Sequence, residues 1–240
     1  MQRIRLLCFN IHGGRSLDGR RDLSRIHGLM QRMDIDIGVF QEMETRQSHG
    51  GMTTDVDTLS GPERPYRLAC PSMEEGEGWY GNLIVSRYPI IRGLLHNLET
   101  HPSLEPRHAA DALIQGPWGK LRVIGTHLSL SIFERRSEAR NLLRLMQAVE
   151  EEEPNPMLLM GDINEWQIPS ALLRHLNQHL TPLPCKPTFP SICPIFRLDR
   201  VWHDAPGIKV TAHRLPGEGI RRLSDHLPIV VELEYSSTRV

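Results

Sequence analysis

The chain of 240 residues has few cysteines. The four, Cys8, Cys70, Cys185 and Cys193, show no C-x-x-C spacing. A disulfide framework belongs to short, cysteine-dense secreted domains. Unpaired thiols are therefore expected, a state compatible with the cytoplasm. There is also no excess of one charge: 28 Lys plus Arg stand against 29 Asp plus Glu, a formal net charge of -1. A duplex-binding domain usually carries a basic surplus, so composition does not advertise a polyanionic partner, although local basic patches stay open. No apolar run approaches the roughly 20 residues of a membrane span. The start, MQRIRLLCFNIHGG, lacks the long apolar segment and small-residue cleavage site of a signal peptide and reads as a first strand. No repeat, low-complexity tract or linker divides the chain, so one domain over 1–240 is the simplest reading. No obligate protein partner is evident. A zinc site is not expected from the twelve histidines, and His12, His49, His96, His101, His108 and His203 read as ordinary loop or surface residues.

What is present is an interleaving of strand-like and helix-like runs. Segments 4–9, 35–40, 82–86, 109–115, 121–126, 157–160, 198–203, 208–215 and 229–235 read as strands. Leu23, Ile26, Met30 and Met33 recur at helical spacing over 22–33. A second helix is expected over 133–149, ended by the acidic run 150–153 and Pro154. A third covers 170–179 with Ser170 as its N-cap. Residues 43–65 read as a long loop and 73–81 as an acidic one. Strands outnumber helices, and adjacent hairpins argue for antiparallel or mixed sheets.

The informative pattern is what stands where strands end. Asn10 follows the first strand and Glu42 the second. His127 closes 121–126, Asp162 and Asn164 follow 157–160, Asp199 opens a late strand, and Asp225-His226 precede the last. One polar residue at a strand end is most often a turn or cap. Eight of them, carboxylates, carboxamides and imidazoles, call for another account. The motifs FN-x-H-G-G (9–14), QE (41–42), GN-x-x-x-SR-x-P (81–89), THL (126–128), GD-x-N (161–164), LDR (198–200) and SDH-x-P (224–228) resemble, in order and over nearly the whole chain, the endonuclease/exonuclease/phosphatase superfamily with its DNase-I-like fold. The resemblance implies an α/β (α+β) four-layer sandwich: two mixed β-sheets packed face to face with helices outside.

It also implies metal-assisted hydrolysis of a phosphate ester. Mg2+ is the implied cofactor, with Mn2+ as a substitute, because hard oxygen ligands suit such a cation. Glu42 is the leading ligand, with Asn10 and Asp225 beside it. Asp162 is implied to deprotonate the attacking water, Asn164 to hold phosphate or nucleophile, and His226 to contact the phosphate with Asp199 fixing its ring. His127 is implied to lie near the phosphate, and Asn82 and Arg107 to bind its oxygens. Arg107 is matched by an equal reading as a surface ion pair.

The catalytic core does not choose a substrate. A nuclease acting on DNA or RNA is the first reading, and a phospholipid or inositol-phosphate hydrolase the alternative. His12 in the first motif and Thr188-Phe189-Pro190 in the later one depart from the abasic-site endonucleases. Phe189 is by default a core residue. The acidic 73–81 segment opposes a duplex backbone, whereas Arg20-Arg21, Arg135-Arg136 and Arg221-Arg222 could form a phosphate-reading rim. No basic amphipathic membrane helix is evident. A catalytically silent binding module is disfavoured, since Glu42, Asp162, Asn164, Asp199 and His226 are all intact.

Overall fold

Ile4, Leu6 and Cys8 face one way and Leu7 and Phe9 the other, and all five are buried. A strand buried on both faces must lie between two layers, and its alternate residues belong to different cores. The structure, a computed structural model, describes residues 2–99 and 104–235. His101 lies outside them.

The first half of the described chain forms β1 (Gln2–Asn10), α1 (Leu23–Arg32), β2 (Ile37–Glu44), α2 (Asp55–Ser60), β3 (Tyr66–Glu75), β4 (Gly78–Ser86), β5 (Ile90–Asn97) and β6 (His108–Gly116). The second half forms β7 (Gly119–His127), α3 (Ile132–Glu152), β8 (Met157–Asp162), α4 (Ala171–His179), β9 (Thr181–Pro182), β10 (Asp199–Asp204), β11 (Lys209–Arg214), α5 (Glu218–Arg221) and β12 (Ile229–Tyr235). Two six-stranded sheets result, ordered β11-β12-β1-β2-β4-β3 and β5-β6-β7-β8-β10-β9. Each mixes one parallel pair, β1 with β2 or β7 with β8, among antiparallel neighbours.

Three cores correspond to three interfaces between four layers. Ile4, Val39, Ile84, Val123, Leu158 and Val231 meet between the sheets. Leu7, Phe40, Val85 and Val230 pack outward onto Ile26, Leu29 and Met30 of α1. Ile124, Leu159 and Trp202 pack outward onto Leu142 and Met146 of α3 and Leu172 and Leu176 of α4. The architecture is the expected helix–sheet–sheet–helix sandwich.

Local differences from the sequence reading have physical causes. Residues 43–65 are not one loop, because β2 runs on to Glu44 and α2 buries Leu59. Six helical residues are too few to display a period. The acidic segment 73–81 is the hairpin of β3 and β4, with Glu74 opposite Trp79. The run 150–153 does not stop α3, which continues through Glu152, since glutamate is a good helix former. Glu153 just beyond binds Arg92. Ser170 caps α4 as expected, its hydroxyl accepting from Leu173 N–H. All four cysteines are unpaired. No helix among the described residues is long and apolar enough to cross a membrane.

Topology brings the polar strand ends together. Because β1 and β2 are parallel, Asn10 stands beside Gln41. Because β7 and β8 are parallel, His127 stands beside Asp162. The antiparallel β10 sets its first residue, Asp199, opposite Asp162. The antiparallel β12 pairs Ile229 with Cys8, so the corner 224–226 lies next to the end of β1.

Candidate active site

Asp162 is the hub. It is buried at the end of β8, and its Oδ2 accepts from Asn10 Nδ2 at 3.0 Å while Oδ1 accepts from the Asn164 N–H at 3.0 Å. His226 Nε2 and His127 Nε2 stand 3.5 and 3.6 Å from Oδ2. Asn10 Nδ2 also donates to Glu42 Oε1 at 2.9 Å, so one amide joins the carboxylates of two sheets. His226 Nδ1 donates to Asp199 Oδ2 at 2.8 Å. The Ser224 hydroxyl donates to the Asn10 carbonyl at 2.8 Å and fixes the corner against β1.

Backbone conformation aims several of these groups. His12, Glu42 and Asn164 have φ of 48°, 57° and 52°. Such left-handed non-glycine residues are uncommon and cost on the order of 1–3 kcal/mol. At Glu42 the cause is a register shift of β2 against β4 between Phe40 and Met43, a bulge that re-aims a side chain. Gly161 shows a different constraint: a Cβ there would overlap the Thr126 carbonyl oxygen on β7. Only glycine permits β8 to lie so close beside Asp162.

Glu42, His127, Asp162, Asn164 and His226 open on a cleft of about 480 Å3, with His12, Tyr80, Arg107, Trp166, Phe189 and Phe196 also in its wall. A family model described as the Endonuclease/Exonuclease/phosphatase family matches residues 7–226. The chain belongs to this family. It is 31% identical over 166 residues to YbhP of Escherichia coli (strain K12). That match covers 65% of the chain and 64% of YbhP, less than two thirds of either. An endonuclease/exonuclease/phosphatase family protein from Bacteroides thetaiotaomicron superposes with a TM-score of 0.78 at 16% identity, covering 99% of this chain and 97% of that one. The mannosyl-6-phosphatase Bt3783 of Bacteroides thetaiotaomicron VPI-5482 gives 0.77 at 18%, covering 97% and 100%. D. rerio TDP2 complexed with a single strand DNA product gives 0.70 at 15%, covering 98% and 100%. At such identities these structures establish the shared fold.

Charge within this family member's cleft is unevenly held. Burial opposes charge on His226, but Asp199 and Asp162 outweigh it and push the imidazole up to about 10. Burial raises the proton affinity of Asp162, with Asp199 adding to it and His226 working against it. Burial also raises Glu42, and Asp225 adds to this against the opposing bond from Asn10. His127 is drawn well below its ordinary value by burial and by the charges of Arg107 and His226, so it is neutral. Asn164 Nδ2 is anchored on the Leu128 carbonyl at 2.8 Å, so its NH2 faces His127 and Nε2 accepts at 3.1 Å.

One set of three side chains is spaced for a cation. Asp162, Asp199 and His226 bring ligand atoms within 4.8 Å of one another. There, however, Nδ1 of His226 is committed to Asp199 and the ring holds its proton strongly. Within that trio, Asp199 and His226 share a hydrogen bond, and Asp162 stands 3.5 Å from His226 Nε2. Glu42 and Asp225 also line the cleft. His12 Nδ1 stands between them, 3.8 Å from Glu42 Oε2 and 3.6 Å from Asp225 Oδ1.

Several expected roles change. Asn10 is not oriented as a metal ligand: its Oδ1 accepts the His12 N–H at 3.1 Å and its NH2 clamps Glu42 and Asp162. Asn82 does not reach the cleft. It shares a strand face with Ile84, points between the sheets, and donates to the His108 carbonyl at 2.8 Å. Asn164 turns away from an extended course and holds His127. Arg107 is buried, pairs with Glu105 and lines the cleft. Phe189 is no core residue; its ring lies 4.8 Å from that of His226. Arg135 belongs to no rim, being fully buried beneath Trp166. Arg21 is taken by Asp55. His96 is buried against Asp111, not a surface residue. His175 and His179 do have two-ligand spacing on α4, but their rings meet edge to face, and no third ligand joins them among the described residues.

Sequence reasoning missed His12, Tyr80, Trp166 and Phe196. The one signal available was His12 within the first motif, two residues beyond Asn10. The other three come from a hairpin and two loops that no strand-end pattern marks.

Proposed function

We propose that the chain is a Mg2+-dependent phosphodiesterase, with Mn2+ as a substitute, in which Asp162 drives water onto phosphorus. The observation that carries this reading is Asp162 itself, a buried carboxylate of raised proton affinity held by two amides with a charged imidazole 3.5 Å away. A carboxylate so tuned is a competent general base near neutral pH. Asp162 takes a proton from the attacking water. His226, oriented and kept charged by Asp199, donates from Nε2 to a phosphate oxygen. Arg107 adds a second cation, and its buried Nε has no protein partner to satisfy it. Asn164 keeps neutral His127 in place beside them.

Glu42 and Asp225 would hold the cation, with His12 as a nitrogen donor beside them and Asn10 as a positioning residue. Two hard carboxylates converging on one side of the cleft fit a divalent ion. When bound, such an ion polarises the phosphoryl oxygen and offsets developing charge. We read residues 1–240 as one functional unit, and the unpaired cysteines accord with a cytoplasmic setting.

A nuclease acting on single strands is the second reading of the substrate. It is favoured by Trp166, Phe189 and Phe196, whose faces could stack bases, and by the likeness to TDP2 with its single strand DNA product. The deciding experiment is a panel of bis-p-nitrophenyl phosphate, p-nitrophenyl phosphate, oligonucleotides and phospholipids, run with Mg2+ or Mn2+ and again with EDTA. Hydrolysis of a diester that EDTA abolishes is expected. Absence of hydrolysis across the panel overturns the proposal.

A further inference from the structure

Twelve large apolar side chains are exposed among the described residues, and seven sit on three segments bordering the cleft. Leu130 and Phe133 follow β7, Trp166 and Ile168 follow β8, and Ile192, Ile195 and Phe196 precede β10. These strands deliver His127, Asp162 and Asp199, so all three segments emerge at the catalytic edge of one sheet. Leu130, Trp166 and Phe196 line the cleft itself. The other four do not line it and are exposed, Phe133 by 79% and Ile168 by 84%.

The exposure is built in and does not arise from slack chain. Phe189 and Phe196 form an antiparallel bridge, and the Phe189 carbonyl accepts from Ile195 N–H at 2.9 Å and Phe196 N–H at 2.8 Å. The turn between them is fastened at its base. Ser191 N–H donates to the Asp225 carbonyl at 2.7 Å, and the Ser191 hydroxyl reaches the carbonyls of Ser224 at 2.7 Å and Arg221 at 2.8 Å. Ile192 and Ile195 are thus held out into solvent at a rigid tip. Across the cleft, buried Arg135 braces the other two segments. Its Nη1 binds the Ser129 and Leu130 carbonyls and its guanidinium lies 4.7 Å from the Trp166 ring centroid.

Exposed apolar side chains gathered on segments that border a cleft mark what its substrate is embedded in. The tips are mainly aliphatic: Leu130, Ile168, Ile192 and Ile195 offer no face for base stacking. Their setting is weakly cationic. Ile192 shares a second cavity with Arg221 and Arg222, along with Leu17, Asp18 and Glu218. Glu218 partners Arg222, whereas Arg221 and Arg197 have no carboxylate partner among the described residues. Aliphatic and aromatic groups flanked by arginine suit the boundary between acyl chains and anionic headgroups.

We propose that these three lips form a docking rim for a lipid bilayer, which sets the cleft against the headgroup layer so that its substrate is a phosphodiester of a membrane lipid. The identity of the bond cleaved rests on the phosphodiesterase reading above; the docking does not.

The test is co-sedimentation of the whole chain with vesicles of phosphatidylcholine and phosphatidylglycerol in equal parts. Each protein is assayed in parallel for phospholipid turnover in the vesicles and for bis-p-nitrophenyl phosphate hydrolysis. Wild type is expected to sediment with the vesicles. I192D/I195D and, on the opposite lip, F133D/I168D are each expected to lower the bound fraction and the vesicle turnover about tenfold or more. Two lips keep the test decisive if one variant misfolds, which circular dichroism reports. Wild type that stays in the supernatant, or variants that sediment equally, overturns the rim. Tight binding of oligothymidylate that both variants lose, without vesicle binding, overturns it in favour of single-stranded nucleic acid. Vesicle binding without hydrolysis of any diester leaves the rim standing and defeats the catalytic reading instead.

Discussion

His226 and Asp199, 27 residues apart in the chain, are joined by a 2.8 Å bond from Nδ1 to Oδ2, both side chains being buried. That contact sets both the direction and the charge of the imidazole. Asp199→Asn is expected to lower turnover of bis-p-nitrophenyl phosphate on the order of 10²- to 10⁴-fold and to lower the His226 pKa measured by NMR. Unchanged titration of the ring would remove Asp199 from its role.

The same pair predicts how stability varies with pH in metal-free protein. The pKa of His226 is raised in the folded state to about 10 from an ordinary 6.5. The folded state therefore binds the extra proton, and the stabilisation is complete below about pH 6.5 and fades as pH rises through about 10. Asp162, also raised, acts in the same direction at lower pH. Urea midpoints between pH 6.5 and 10 are expected to fall in wild type and to fall less in Asp199→Asn. Equal slopes contradict the assignment.

Asp162 and Asn164 are two residues apart but predict different losses. Asp162→Asn removes the base and is expected to abolish turnover while the circular dichroism spectrum is kept. Asn164→Ala only frees His127 and is expected to cost roughly 10- to 100-fold in kcat. If both variants lose activity equally, Asn164 does more than hold the ring.

His12 offers a spectroscopic test of the metal position. With Mn2+ bound, pulsed EPR is expected to show a 14N coupling that disappears in His12→Ala, while Mn2+ still binds through Glu42 and Asp225 at lower affinity. A nitrogen coupling that survives His12→Ala, or none in wild type, places the cation away from this imidazole.

Far from the cleft, Arg122 is fully buried, and its Nη2 donates to Asp111 Oδ2 at 2.6 Å, beside the bond from His96 to the same oxygen at 2.8 Å. Burial alone would raise Asp111, yet His96 and Arg122 hold it below its ordinary value. Arg122→Met strands this carboxylate and is expected to cost about 3–5 kcal/mol in urea unfolding. A loss under about 1 kcal/mol would mean that the site relaxes to admit water.

The sequence made the layered fold legible because strands buried on two faces cannot hide. Ile4 and Leu6–Phe9, interrupted only by Arg5, are visible as an apolar run, and the polar residues at the strand ends mark its limits. Asn10, Glu42, Asp162, Asp199 and His226 were legible for that reason. Orientation was not. Nothing in the residue types tells that Asn10 turns its oxygen to the His12 N–H, or that Asn82 faces the other sheet, since both follow from strand register and a one-residue slip reverses them. The apolar lips were illegible for another reason: Ile168, Ile192 and Ile195 look in sequence like any core residue, and only the folded loops show that they are left outside.

The bond from Ser224 to the Asn10 carbonyl links the last strand's approach to the first strand's end. A nascent chain emerging from the ribosome carries Asn10, Glu42 and Asp162 long before His226 is translated. The cluster around Asp162 therefore cannot close until the segment carrying Ser224 and His226 has been made.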